Sequence, residues 1–239
     1  MSKPRIVILA GPNGAGKTTV SKYVLTEVFE IDEFVNADRI ASGLSAFAPE
    51  SVAFEAGRIM LRRIDALLEQ NKSFAFETTL SSKSFVKLVL RAKQQGYHVE
   101  LIYVALPTAS LAKLRVKKRV SEGGHDIPAD VIERRFYRSL NNLIHRYSKV
   151  VDEWRIFDNA SPSIPQLILS GKGSTIKIHQ EEKMAKITQA RRKEPIVGTA
   201  LDARIRAAMV KAIREVRRHA AVNKIKLAVA DKKSWSVPK

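Results

Sequence analysis

Cysteine is absent from all 239 residues. Disulfides, thiolate metal sites and a cysteine nucleophile are thereby excluded, and the composition suits a reducing compartment. No run approaches the ~18 apolar residues of a membrane span. Met1-Ser2-Lys3-Pro4 leads into an apolar stretch too short for a signal peptide's core, so a soluble, cytoplasmic protein is expected. Acidic residues are few, 24 against 42 Lys and Arg, and the net charge is +18. Residues 170–239 hold 18 of the basic residues and six acidic ones, which is +12 of that excess. Such a tail reads as a solvated basic helix or as a surface for nucleic acid or an acidic partner. Trp235 is the only aromatic residue in 196–239, which argues against base stacking there.

What is present is a core-forming pattern. Hydrophobic residues make up 45% of the chain, enough for one sizeable domain plus an appendage. Short apolar runs recur at 5–10, 34–36, 73–77, 99–106 and 154–158. Between them lie helical periods over 50–70, 84–95, 108–121 and 128–150, the last with Pro128 at its first turn. Strand–helix alternation with continuously apolar strands predicts a parallel α/β sheet of five strands, helices on both faces, and ligands at the strands' carboxyl ends. Beyond Ser161-Pro162, "PQLILS" and "GKGSTIKIHQ" suggest a marginal hairpin. Residues 1–195 are expected to form the main domain, with a lid at about 108–140. Residues 196–239 read as a basic helix–hairpin appendage, its helix striped by Leu201, Ile205, Met209, Ile213 and Val216.

"GPNGAGKTT", residues 11–19, fits G-x-x-x-x-G-K-[ST] between an apolar strand and a helix, which is the context a phosphate-binding loop needs. Gly11, Gly14 and Gly16, with Pro12, Asn13 and Ala15, let backbone N–H groups converge on phosphate, and the helix from Lys17 adds its positive end. Lys17 reaches the β/γ-phosphates; the Thr18 hydroxyl binds Mg²⁺, with Thr19 completing the motif. The wording is shared with ABC-type ATPases. Those also need an "LSGGQ"-like segment and a four-residue apolar run ending in Asp-Glu, and neither is present. A nucleoside triphosphate is the expected ligand.

Two carboxylates end apolar strands, Asp38 after "FVNA" and Glu77 in "FAFETTLSS". Each reads two ways: Asp38 as a helix N-cap or a general base, Glu77 as a cap or ion-pair partner or a member of the site. Residues 114–143 supply cations. Arg115 and Arg119 share a helix face; Gly123-Gly124 interrupts; a second helix carries Arg134, Arg135 and Arg138. Such an arrangement suits a mobile lid over triphosphate, or else a solvated basic hairpin. His125 beside the glycines reads as a turn hydrogen-bonder.

Taken together, the phosphate loop, "NADRIA", "ETTLSS" and "RVSEGGHDIP" with "RRFYRSLNNL" resemble the zeta toxin family of P-loop kinases over roughly residues 3–180. The resemblance implies a nucleotide-kinase type of P-loop fold, ATP and Mg²⁺ as cofactors, and an antitoxin partner. It also implies phosphorylation of a sugar hydroxyl of UDP-N-acetylglucosamine. Asp38 then matches the catalytic base and Lys17 the phosphate lysine. Glu77, Thr78 and Thr79 line the substrate side, and Arg119 with Arg134 or Arg135 match the lid arginines. Ser81 stands where family toxins often carry an arginine, a substitution that removes a bidentate phosphate contact. The rival function is an RNA or polynucleotide kinase, or an NTP-gated nucleic-acid-binding protein. The tail could also act in cis as an antitoxin would, or simply complete the core.

Overall fold

The computed structural model describes residues 3–124, 126–160, 165–173 and 175–180. The tail at 181–239, with the proposed appendage and domain boundary, lies outside the described residues, as does His125.

Five strands run parallel: β1 Arg5–Ala10, β2 Phe34–Val35, β3 Phe74–Thr78, β4 His98–Ala105 and β5 Glu153–Asp158. Their spatial order is β2-β3-β1-β4-β5. The expected count of five is corrected to seven. Strands β6 (Gln166–Lys172) and β7 (Thr175–Ile178) add to the free edge of β5, each antiparallel to its neighbour. The reason is hydrogen bonding: β5 would otherwise present an unpaired row of backbone groups. A short hairpin can return antiparallel, whereas a further parallel strand needs a long crossover.

Helices α1 (Lys17–Tyr23), α2 (Ala37–Leu44), α3 (Ala53–Glu69), α4 (Ser84–Gln94), α5 (Ala109–Ser121) and α6 (Ala129–Asn142) fill the connections. The long helix read over 128–150 is in fact α6, a π turn at Leu143–Tyr147 and a helical turn at Ser148–Val150. Alternate residues of β1 face opposite layers, as the strand period requires. Ile6 and Ile8 pack with Met60, Ile64 and Leu67 of α3 and with Val89 and Ala92 of α4. Val7 and Leu9 pack with Ala112 and Val116 of α5 and with Ile132 and Phe136 of α6. Both faces of the parallel region are therefore covered, and the polar residues that remain gather at the two ends of the strands.

At the amino-terminal end, buried Glu100 accepts from Arg155 at 2.6 Å, and Glu153 from Lys172 at 2.7 Å. Asp152 pairs with Lys93 at 2.8 Å. The carboxyl end holds the candidate site. Among the described residues, no helix is long and apolar enough to cross a membrane.

Candidate functional site

The phosphate loop lies between three fixed walls. A Cβ on Gly11 would stand 2.3 Å from the Val104 carbonyl oxygen of β4, and one on Gly14 2.7 Å from that of Ala112 in α5. One on Gly16 would stand 2.7 Å from Asn159 Nδ2, which donates to Ala15 O at 2.8 Å. All three glycines have positive φ, so both backbone and space demand them. Asn159, just beyond β5, carries no motif that would have flagged it in the sequence. Arg115 is used structurally, donating to Ala160 O at 2.9 Å.

Lys17 is buried, and its ammonium donates to Pro12 O at 3.1 Å. Glu77 Oε1 stands 3.6 Å away. Burial pulls the ammonium below the ordinary lysine range; Glu77 and then Asp38 oppose that pull, and Arg119 adds to it. Three expected site residues from three different elements thus act electrostatically on one amine. Glu77 Oε2 also accepts from the Thr18 hydroxyl at 3.2 Å and from Asn36 Nδ2 at 2.9 Å. The second carboxylate therefore stands against both Lys17 and Thr18.

Asn36 settles what Asp38 does for its helix. Its Oδ1 accepts from the N–H groups of Asp38 at 2.8 Å and Arg39 at 3.2 Å, and α2 begins at Ala37. The N-cap reading of Asp38 is corrected: the cap is Asn36, two residues earlier. Both side chains suit that position, and only the phase of the helix start decides between them. Asp38 is left exposed, with its carboxylate at liberty to meet solvent or ligand.

The glycine pair ends α5. Gly124 N–H bonds to Arg119 O at 2.9 Å and Gly123 N–H to Val120 O at 3.0 Å, while Gly123 has φ +86°. These are the two bonds of a Schellman cap. A Cβ on Gly124 would lie 2.6 Å from Arg119 Cγ, so the turn also fixes where Arg119 can go. In α6, Arg135 shares its stripe with buried Ser139 and Asn142, at the i, i+4, i+7 spacing of one helix face. Arg134 falls on the exposed side.

At the end of β3, Thr78 Oγ1 accepts from Leu80 N–H at 3.0 Å, and just beyond it the Thr79 and Ser81 hydroxyls lie 2.9 Å apart. Leu80 is fully buried with φ +58°.

Residues 1–164 match the family described as Zeta toxin. An uncharacterized protein of Haemophilus influenzae is 28% identical over 132 residues, covering 55% of this chain and 92% of its own. Among solved structures, the AvrRxo1-ORF1:AvrRxo1-ORF2 complex with sulphate ions gives a TM-score of 0.62 at 20% identity, over 88% of this chain and 76% of the other. The PezAT chromosomal toxin-antitoxin system of Streptococcus pneumoniae gives 0.58 at 17% identity, over 90% and 88%. At such identities the two structures speak for the fold.

Proposed function

The chain belongs to the Zeta toxin family, and on that premise we propose that it is an ATP-dependent kinase, moving the γ-phosphoryl of ATP to a hydroxyl of a small acceptor. The observation that carries this reading is the convergence of Asp38, Glu77 and Arg119 on buried Lys17. ATP lies along Gly11, Pro12, Asn13, Gly14, Ala15, Gly16, Lys17, Thr18 and Thr19. Asn13 Oδ1, buried and without a hydrogen-bond partner, is a polar atom in that loop left for a ligand to satisfy.

The oxygen donors present suit Mg²⁺, which takes hydroxyl and carboxylate ligands alongside phosphate. Thr18 and Glu77 would hold it, and it would neutralise charge on the β- and γ-phosphate oxygens. Asp38 takes the acceptor's hydroxyl proton onto its carboxylate. The acceptor oxygen bonds to the γ-phosphorus, the bond to the β-phosphate oxygen breaks, and ADP leaves. Lys17, Arg119 and Arg135 steady the negative charge spread over the migrating group; Arg134 remains on the outer face.

Thr78, Thr79 and Ser81 would line the acceptor side with hydroxyls. UDP-N-acetylglucosamine is the first acceptor to try, because it is the one that the family resemblance implies. A protein antitoxin is the proposed partner, since the similar PezAT is a toxin–antitoxin system. The segment 196–239 is a candidate for the same restraint in cis, and the cytoplasm is the proposed location. The basic tail motivates a second reading, phosphorylation of RNA.

One experiment separates these readings. The purified full chain is given labelled ATP with UDP-N-acetylglucosamine, uridine or a 5′-hydroxyl oligoribonucleotide. Label in the nucleotide sugar, lost in Asp38→Ala, supports the first reading, and label in the oligonucleotide supports the second. Undiminished transfer by Asp38→Ala overturns the assigned base.

A further inference from the structure

The loop between β3 and α4 carries the Thr79 and Ser81 hydroxyls on a backbone that needs outside support. Leu80 occupies the left-handed region, which is costly for a residue with a branched side chain. Two buried side chains, one from the last residue of α6 and one from the π turn that follows it, supply the support. Asn142 Nδ2 donates to Leu80 O at 2.9 Å, and the Tyr147 hydroxyl donates to Ser82 O at 2.8 Å. Ser81 is thus bracketed by two pinned carbonyls, and Thr79 adjoins the first of them.

Asn142 and Tyr147 are five residues apart. In an unbroken α-helix, at 3.6 residues per turn, they would diverge by about 140°. The π turn at Leu143–Tyr147 closes i to i+5 instead and brings residues five apart onto one side. Without that turn one helix could not reach both carbonyls. A phenol is already a hydrogen donor at neutral pH, and burial pushes that of Tyr147 further up, to about 12. The same helix is tied to β4 through the Ser139 and Tyr103 hydroxyls, 2.9 Å apart, and it carries Arg135 one turn before Ser139.

We propose that Asn142 and Tyr147 are positioning residues: by gripping Leu80 and Ser82 they set the Thr79–Ser81 hydroxyl pair for the acceptor and lock it to the arginine-bearing helix. The inference rests on the kinase reading for the assignment of that pair to the acceptor. Neither residue touches the reacting atoms.

Tyr147→Phe removes one hydroxyl and little else. Asn142→Leu keeps the volume and removes the donor. In the full chain, each variant is compared with wild type for ATP affinity by calorimetry and for amide exchange at residues 80–84. Transfer is measured to whichever of UDP-N-acetylglucosamine, uridine and the 5′-hydroxyl oligoribonucleotide the wild type phosphorylates. The expected result is exchange at 80–84 about tenfold faster and an acceptor KM about tenfold higher, as loss of one buried hydrogen bond allows. ATP affinity and kcat should stay within about threefold. An unchanged acceptor KM despite faster exchange overturns the proposal, and so does ATP affinity falling in step with KM.

If Asn142→Leu does not fold, Tyr147→Phe decides alone. A wild type silent toward all three acceptors defeats the preceding reading instead. The assignment of the pair to the acceptor falls with it, and amide exchange decides the grip alone: it stands if 80–84 quicken while 11–19 keep their rates, and it falls if 80–84 do not quicken.

Discussion

Glu77 Oε1 lies 3.6 Å from the Lys17 ammonium, and both side chains are about nine-tenths buried. A bound triphosphate brings far more negative charge to that amine than one carboxylate supplies. Because burial holds the Lys17 ammonium below its usual range, phosphate should raise it again, and ATP binding should take up protons at alkaline pH. Titrations in buffers of different ionisation heat should then give different apparent enthalpies with the sign of uptake. Release, or no buffer dependence, would contradict this. Lys17→Met should weaken ATP binding on the order of a hundredfold, a charge-assisted contact being lost in a dry site.

Asp38 and Asn36 should separate cleanly. Asp38→Ala should lower transfer by roughly 10²–10⁴, the worth of a positioned base, and leave melting nearly unchanged, because the cap of α2 is elsewhere. Asn36→Ala should cost about 1 kcal/mol of stability through that cap. It also frees Glu77 from one of its donors. Thermal melts and turnover on the same preparations check both.

The two glycines that end α5 should fail differently. Gly123→Ala forces a side chain into φ +86° with nothing within 4 Å of the new Cβ, so its cost is about 1 kcal/mol of stability. Gly124→Ala drives a Cβ into the Arg119 side chain, so turnover should drop toward that of Arg119→Ala, with ATP affinity little moved. Equal turnover in the two glycine variants would refute the clamp. Arg135→Ala should cost roughly 10³ in turnover, against less than about threefold for exposed Arg134→Ala.

Acid should loosen the opposite end of the sheet. The hydrogen bond from Lys172 is the main cause holding the Glu153 carboxyl below its usual range. Burial alone would push Asp152 up, but Lys93 and the Val99 N–H outweigh it and leave it lowered. Groups lowered in the folded state stabilise it above the unfolded carboxylate range, near pH 4, and that contribution goes as pH falls through the folded values. Melting temperature should therefore decline below about pH 4. Lys93→Met should make the decline shallower, since Asp152 would titrate closer to its unfolded value.

Much of this was legible beforehand because it was written in period and spacing. The five parallel strands follow from continuous apolar runs, and the helices of 84–94 and 109–121 from helical period, each within a residue or two. The phosphate loop follows from its glycines. What escaped was decided by contacts remote in sequence. Asn159 reaches the loop across 144 positions, and no local pattern announces such a partner. The cap of α2 turned on whether the helix starts at residue 37 or 39, a phase that two neighbouring polar residues leave open. The π turn was invisible because "LNNLIHRY" has the apolar spacing of an ordinary helix. Five strands became seven because the hairpin expected of "PQLILS" and "GKGSTIKIHQ" pairs with the edge of β5, a joining that no local pattern declares.

The clasp of Asn159 on Ala15 has a consequence for how nucleotide arrives. A loop already curled and held from outside has little freedom left to surrender, so binding should be led by enthalpy and proceed in one step, without a slow rearrangement trailing the encounter. Asn159→Ala would hand that freedom back, and the ordering of the loop would then appear as a second, concentration-independent phase.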